Sequence, residues 1–269
     1  MLKALIKKIC FKFGYHILRR FYYDFNADDS IKKLLKLANI KSRECIVFDV
    51  GANAGQSVER FRNYLPEANI LSFEPYPLVF KTLKQKEKKD KNLKCFNIGL
   101  GSKKGVFSFY RNPDSGSNSF FKLNIHGDSF VLSNSNEAKK NHNKKTPKEV
   151  IKFNKKTNVS VDRLDNICKK EDIKKIHILK IDTQGFEEEV LKGAINMLKN
   201  IFIIELEIIF SDTYEKSAKI GVIESLLSNY GFTLWEITYI GKFSTDKFNR
   251  INFIDVQFVN QNIFKLKSF

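Results

Sequence analysis

From residue 45 onward, short apolar runs alternate with amphipathic stretches, and this alternation constrains the fold more than any other feature of the chain. The pattern is typical of βαβ units, in which helices join parallel strands. It predicts an α/β fold with a largely parallel sheet. Strands are expected at 45–50, 69–73, 93–98, 177–181 and 201–206, with helices at 56–64, 78–89, 186–198 and 218–229.

Two further regions depart from this regular order. The runs at 232–239 and 251–259 are joined without a helix, which predicts an antiparallel pair at the edge of a mixed sheet. Between about 105 and 165, short apolar runs flank an Asn- and Lys-rich stretch. This part is expected to be a variable, hairpin-bearing insertion with a disordered loop at 133–158.

The N-terminal region, residues 1–43, is predicted to be a basic amphipathic helical region that precedes the main domain at 44–269. Within 2–22, apolar residues recur at helical spacing and lysines lie largely off that face. Such a helix could lie on an anionic membrane surface or pack its apolar face on the core. Both interpretations stay open from the sequence.

The formal net charge of +17 is unevenly distributed along the chain. Residues 1–20 contain six Lys and Arg and no acid, and 133–158 contain eight Lys and two Glu. A basic stripe through the candidate site would favour nucleic acid, whereas basic appendages favour an anionic surface or solubility. We therefore do not expect a nucleic-acid partner.

The strongest local signal is the segment from Asp49 to Gly55, at the junction of the first strand and its helix. Gly51 and Gly55 permit a tight turn and close approach of a ligand, and the following helix offers unpaired N–H groups. The spacing differs from the G-x-G-x-x-G of dinucleotide sites, which argues against an NAD-dependent reductase. Asp49 at the strand end suits a cationic ligand group.

Acids also end three other predicted strands, at Glu74, Asp182 and Glu205. Because ligands of open α/β sheets bind beyond the carboxyl ends of the strands, these acids are expected to converge with Asp49 on one rim. Glu74, at the end of the second strand, is the candidate for binding ribose hydroxyls. Lys180 is two residues before Asp182 and is expected either to form an ion pair or to act as a base.

Several motifs together resemble the FkbM methyltransferase family: Asp49 to Gly55, then Phe73-Glu74-Pro75, then Asn97 to Gly101, then Leu179 to Glu187. The resemblance covers roughly residues 44–260. It implies a class I methyltransferase with a Rossmann-like, seven-stranded mixed sheet and helices on both faces. It also implies S-adenosylmethionine as cofactor, with Asn53 in the binding loop and Gly99 near the adenine.

The resemblance further implies O-methylation of a hydroxyl on a sugar, polysaccharide or glycolipid-type acceptor, one that could be anionic or lipid-linked. Asp182 is the first candidate to orient or deprotonate that hydroxyl, Glu205 the second, and His126 a third. Gln184 stands where many relatives carry Glu. No metal is predicted, because the spacing of Asp182, Glu205 and Glu207 does not fix a set of metal ligands.

The alternative function is a basic module that binds RNA or an anionic membrane and uses the fold only as a scaffold. Its support is the net charge alone. No uncharged apolar stretch is long enough to span a bilayer, so we expect a cytoplasmic location, with peripheral contact at the inner membrane face through residues 1–22.

Overall fold

The computed structural model describes residues 27–127, 152–242 and 250–264. The predicted N-terminal helix at 2–22 and most of the predicted loop at 133–158 lie outside these ranges. The helices are α1 (Ala27–Leu37), α2 (Gln56–Tyr64), α3 (Pro77–Glu87), α4 (Leu164–Lys170), α5 (Glu187–Lys192), α6 (Ile220–Ser228) and α7 (Gln261–Phe264). The strands are β1 (Ile46–Val50), β2 (Asn69–Phe73), β3 (Leu93–Phe96), β4 (Gly99–Leu100), β5 (Gly105–Arg111), β6 (Lys155–Asp162), β7 (Ile176–Ile181), β8 (Ile201–Ile209), β9 (Phe232–Lys242) and β10 (Ile251–Asn260).

Seven strands form one twisted sheet in the order β3-β2-β1-β7-β8-β10-β9. The five strands from β3 to β8 are parallel, and β10 runs antiparallel to both β8 and β9. The predicted mixed sheet with a terminal antiparallel pair is therefore confirmed. Strand order reverses between β1 and β7, so the rim above these two strands is where a ligand site is expected.

Two apolar cores cover the two faces of the sheet. On one face, Val47, Ile178 and Ile203 pack against Ile31 of α1 and Phe61 of α2. On the other face, a larger core joins the sheet to α4, α5 and α6. Side chains alternate between the faces along each strand, so a residue's register decides which core it meets.

The predicted insertion contains a second, three-stranded sheet in the order β4-β6-β5. β6 begins at Lys155, within the stretch predicted to be a disordered loop, so that prediction is wrong for residues 155–158. These residues pair antiparallel with β5, from Ser108 to Arg111. The ladder to a neighbouring strand orders a segment whose composition favours a loop.

The helix predicted over 186–198 is shorter in the structure. α5 ends at Lys192, and the chain then turns through Gly193 to a short 3-10 helix at Leu198–Asn200. A Cβ atom at Gly193 would lie 2.1 Å from the carbonyl oxygen of Gly101, so the backbones are in close contact here. Among the described helices, none combines the length and apolar content that crossing a membrane requires.

Candidate functional site

A cleft opens at the carboxyl ends of β1, β2 and β7, above the point where strand order reverses. Of the eight predicted site residues, five line it and three do not. The lining residues are Gly51, Asn53, Glu74, Gly99 and Asp182. Asp49, Gly55 and Glu205 lie outside the lining.

The loop after β1 is fixed by the neighbouring strands. The N–H groups of Gly51 and Ala52 both donate to the carbonyl oxygen of Phe73 at the end of β2, at 3.0 Å. Gly51 has a φ of 84°, and a Cβ atom there would lie 1.9 Å from the carbonyl oxygen of Asp182. Only glycine allows this approach of the loop to the end of β7. The loop therefore forms the floor of the cleft at a fixed position.

Glu74 is held in the cleft by two backbone donors. Its Oε2 accepts from the N–H of Asn53 at 3.1 Å, and its Oε1 accepts from the N–H of Tyr76 at 2.8 Å. Burial raises the pKa of Glu74 to about 7, although both N–H bonds favour the carboxylate. Each oxygen keeps a second lone pair for a ligand hydroxyl.

Asn97, which directly follows β3, supports the segment around Glu74. Its Nδ2 donates to the carbonyl oxygens of Glu74 and Pro75, at 2.9 and 3.0 Å. Sequence analysis placed Asn97 in a motif but gave it no role. Its contacts show that it positions the backbone on either side of the Glu74–Pro75 peptide.

The remaining walls of the cleft differ in polarity. Gln56 and Ser57 in the first turn of α2 line one side, where N–H groups of a helix N-terminus have no partner within the helix. A largely apolar wall lies opposite. It consists of Phe73, Gly99, Leu100, Phe109 and Phe120.

A short segment covers part of the cleft. Ser115 begins a 3-10 helix that ends at Ser117, and Gly116 and the following Asn118 also line the cavity. The Ser115 hydroxyl donates to Oδ1 of Asn53 at 3.1 Å, which ties the segment to the loop after β1. This contact links the insertion to the binding loop.

Asp49 is fully buried beneath the loop. Its Oδ2 accepts from the Ser72 hydroxyl at 3.3 Å, and it lies beside Lys180 in the register of β1 and β7. Burial raises the pKa of Asp49, while Lys180 and Arg60 oppose that change. The structure therefore places Asp49 under the cleft and away from its lining.

Glu205 is likewise turned away from the cleft. Its Oε1 accepts from Nη2 of Arg60 at 2.7 Å, and only 6% of its side chain is exposed. Arg60 lies on α2, so this ion pair joins the helix to the sheet face. His126 is exposed in a turn and does not line the cleft. Neither residue is brought to the candidate site.

Lys180 forms an ion pair with Asp182, Nζ to Oδ2, at 3.1 Å. Burial opposes its charge, yet Asp182 and Asp49 hold the pKa of Lys180 above its usual range. The ion-pair interpretation is therefore confirmed, and the raised pKa is the opposite of the lowered pKa that a lysine base would need. Burial also acts against the charge of Asp182, but Lys180 and Gln184 outweigh it and lower that pKa.

Gln184 joins two carboxyl groups at the rim. Its Nε2 donates to Oδ1 of Asp182 at 2.9 Å and to Oε2 of Glu207 at 2.8 Å, while its Oε1 accepts from the Tyr214 hydroxyl at 2.9 Å. Burial, together with Asp182 and Asp255, raises the pKa of Glu207 to about 8. At neutral pH, Asp182 is ionised and Glu207 is mostly protonated.

Glu187 fixes the turn that presents Gln184. Its Oε1 accepts from the N–H and hydroxyl of Thr183 and from the N–H of Gly185, at 3.0 to 3.1 Å. Gln184 and Gly185 have φ values of 57° and 99°, so the turn needs this support. Burial raises the pKa of Glu187 to about 7. Sequence analysis gave Glu187 no role, although an acid in the first turn of a helix is a known capping signal.

The comparisons with known proteins agree with this geometry. Residues 49–234 match the family described as the methyltransferase FkbM domain. The chain belongs to the FkbM methyltransferase family. The match begins at Asp49 and includes the strand ends that form the cleft. The resemblance stated from the motifs is therefore confirmed.

This chain is similar to two curated methyltransferases over most of their length. The 2-O-methyltransferase NoeI of Sinorhizobium fredii is 25% identical, over 69% of this chain and 72% of that protein. The methyltransferase sdnD of Sordaria araneosa is 28% identical, over 74% of this chain and 77% of that protein. Among solved structures, Aeropyrum pernix fibrillarin with natively bound S-adenosyl-L-methionine gives a TM-score of 0.40 at 11% identity, over 85% of this chain and 74% of that chain.

Among the described residues, no group of three or more His, Cys, Asp or Glu side chains has an arrangement that could hold a metal ion.

Proposed function

We propose that this FkbM protein is an S-adenosylmethionine-dependent O-methyltransferase that acts on a hydroxyl of a sugar, polysaccharide or glycolipid-type acceptor. The observation that carries the proposal is the cleft at the switch point, in which Glu74 stands between a glycine loop and a helix N-terminus. The relative NoeI is named a 2-O-methyltransferase, which favours oxygen as the methylated atom.

The donor set of the cleft fits each part of this cofactor. Glu74 can accept hydrogen bonds from two ribose hydroxyls. The apolar wall around Gly99 and Phe120 suits an adenine ring, and the first turn of α2 suits a carboxylate. The carbonyl oxygens of the loop after β1, at Gly51 to Asn53, suit an ammonium group. The bound cofactor would supply an electrophilic methyl group on a sulfonium.

The protein's own contribution is to hold the acceptor hydroxyl in place and to take up its proton. Correct alignment of two reactants can supply much of the rate of a displacement. Asp182 is the candidate for orienting or deprotonating the hydroxyl, because it lines the cleft and is ionised. Glu205 is no longer a candidate for this role, because it is paired with Arg60 and does not line the cleft.

Isothermal titration calorimetry with S-adenosylhomocysteine, with NADH as control, tests the cofactor. Micromolar binding of the first ligand alone is expected, and binding of NADH alone would refute the proposal. O-methylation is then tested by measuring the transfer of labelled methyl groups to neutral and acidic oligosaccharides. The label in the product should resist both acid and base if it is a methyl ether. Asp182→Asn is expected to lower kcat at least tenfold while leaving S-adenosylhomocysteine affinity nearly unchanged.

Peripheral membrane contact through residues 1–22 and a cytoplasmic location stay predictions, because they depend on residues outside the described ranges. Deleting residues 1–22 is expected to reduce binding to anionic vesicles while leaving cofactor binding intact. Loss of cofactor binding would instead support packing of this segment on the core. The alternative of an RNA- or membrane-binding module gains no support from the relatives, which are named methyltransferases.

A further inference from the structure

Three carboxyl side chains stand next to one another across β7, β8 and β10. Asp182 directly follows β7, Glu207 lies on β8, and Asp255 lies opposite Glu207 in the antiparallel register of β8 and β10. The Gln184 amide donates to Asp182 and Glu207 and so uses both of its N–H bonds. It supplies no further donor to this row.

Each of the nearby cations pairs with an acid other than Glu207 or Asp255. Lys180 pairs with Asp182, and Arg60 pairs with Glu205 at 2.7 Å. Within the described part of the chain, neither Glu207 nor Asp255 forms an ion pair with a lysine or arginine. The row therefore carries more potential negative charge than its neighbours compensate.

The cleft beside this row shows the same imbalance. Its lining, as far as the chain is described, includes the acids Glu74 and Asp182 and contains no lysine, arginine or histidine. Gln184 lines the cleft and also contacts Glu207. One side chain thus separates the cleft from the carboxyl group of Glu207. A positive charge in the cleft would meet an uncompensated acidic rim although the whole chain has a net charge of +17.

We propose that Glu207, with Asp255 beside it, makes the cleft selective for a ligand that carries a positive charge, and that Glu207 releases its proton when that charge arrives. The proposal rests on the proposed function, for which the cationic ligand is the sulfonium cofactor and the neutral one its thioether product. The two molecules differ at the sulfur by one methyl group and one charge. The rim would therefore retain the substrate and favour departure of the product.

The protonation of Glu207 supports this proposal. Burial and the neighbouring Asp182, Asp255 and Glu187 raise its pKa to about 8, and Lys180 acts in the opposite direction. Burial, with Glu205 and Asp182, raises the pKa of Asp255 to about 6. Near pH 7 the carboxyl group of Glu207 holds a proton that a nearby cation would displace into the buffer.

The size of the effect follows from linkage. If the cation lowers the pKa of Glu207 from about 8 to ~7, binding releases ~0.4 proton at pH 7. The affinity ratio of S-adenosylmethionine to S-adenosylhomocysteine then gains a factor of ~2 at pH 7 and ~8 at pH 8.5. Titration of Glu74 affects both ligands alike, so it cancels from the ratio.

The test is calorimetric titration with S-adenosylmethionine and S-adenosylhomocysteine at pH 7 and 8.5, in phosphate and in Tris, whose ionisation enthalpies differ. The wild type is expected to release more protons with the cation, and the affinity ratio is expected to rise with pH. Glu207→Gln keeps the shape of the side chain and is expected to abolish the rise. Glu215→Gln, an exposed acid near the same rim, serves as control and is expected to keep it.

A ratio that does not change with pH in the wild type, together with equal proton release for the two ligands, would overturn the proposal. Absence of binding for both ligands would instead overturn the proposed function on which it rests. If Glu207→Gln does not fold, the buffer dependence of the wild type still decides the question.

Discussion

Replacing Glu74 by Gln is expected to weaken binding of S-adenosylhomocysteine by ~10- to 100-fold. The carboxylate can offer one lone pair of each oxygen to a ribose hydroxyl, and hydrogen bonds to charged groups contribute about 1.5 to 3 kcal/mol each. The amide retains one acceptor and turns an NH2 group toward the N–H of either Asn53 or Tyr76. One backbone donor therefore loses its partner as well.

The wild type is expected to show a pH dependence that this variant lacks. The pKa of Glu74 is about 7 in the free protein, and the ligand needs the ionised form. The affinity for S-adenosylhomocysteine should therefore be close to its maximum above pH 8 and should decrease as the pH falls. Between pH 8 and pH 6, the dissociation constant of S-adenosylhomocysteine is expected to rise by ~10-fold.

The assay is calorimetric titration at half-unit steps from pH 6 to pH 8, for the wild type, Glu74→Gln and the control Glu67→Gln. Glu67 is an exposed acid near the opposite end of β2, so its variant should match the wild type. Thermal unfolding of each protein confirms that the fold is intact. A flat profile for the wild type, or an affinity of Glu74→Gln equal to that of the wild type, would refute the ribose assignment.

Three further predictions concern stability. Gly51→Ala should lower the free energy of unfolding by ~3 kcal/mol or more, or prevent folding, because the new Cβ atom would clash with the Asp182 carbonyl oxygen. Gly221→Ala is the control, since a Cβ atom there meets nothing within 4 Å, and urea denaturation should show a change of less than ~1 kcal/mol. Arg60→Ala should cost ~2 kcal/mol by leaving buried Glu205 unpaired, and adding Glu205→Gln should restore most of that loss in the same assay. Burial raises the pKa values of Glu74, Glu187 and Glu207, so these acids bind protons more tightly in the folded than in the unfolded chain. The free energy of unfolding of the ligand-free protein should therefore fall by roughly 3 kcal/mol or more from pH 5 to pH 8. A melting temperature that rises over this range would contradict the raised pKa values.

The sheet was largely predictable because most of the parallel strands are short, mainly apolar runs, and the acids Glu74 and Asp182 directly follow β2 and β7. The terminal antiparallel pair was predictable because the sequence between residues 239 and 251 has no helical pattern. The errors occur where tertiary contacts outweigh local pattern. Lys155 and Lys156 join β6 through pairing with β5, and α5 stops where Gly193 meets the Gly101 carbonyl.

The candidate site was predictable as a set of strand ends and less so as a set of side-chain directions. Glu205 and Glu207 both lie on the same face of β8, yet only Glu207 contacts Gln184. The difference comes from Arg60 on α2, which binds Glu205 from 145 residues away along the chain. A contact of that separation leaves no local pattern in the sequence.

The electrostatics of the cleft illustrate the same limit. Net charge favours an anionic partner, but much of the positive excess lies in residues 1–20 and 133–158, outside the motifs that form the cleft. Buried groups in contact are screened far less than exposed charges are. Asp182, Glu207 and Asp255 therefore govern the field at the rim, and they favour a cation there. The charge of the rim, and not the net charge of the whole chain, therefore bears on which molecule the cleft binds.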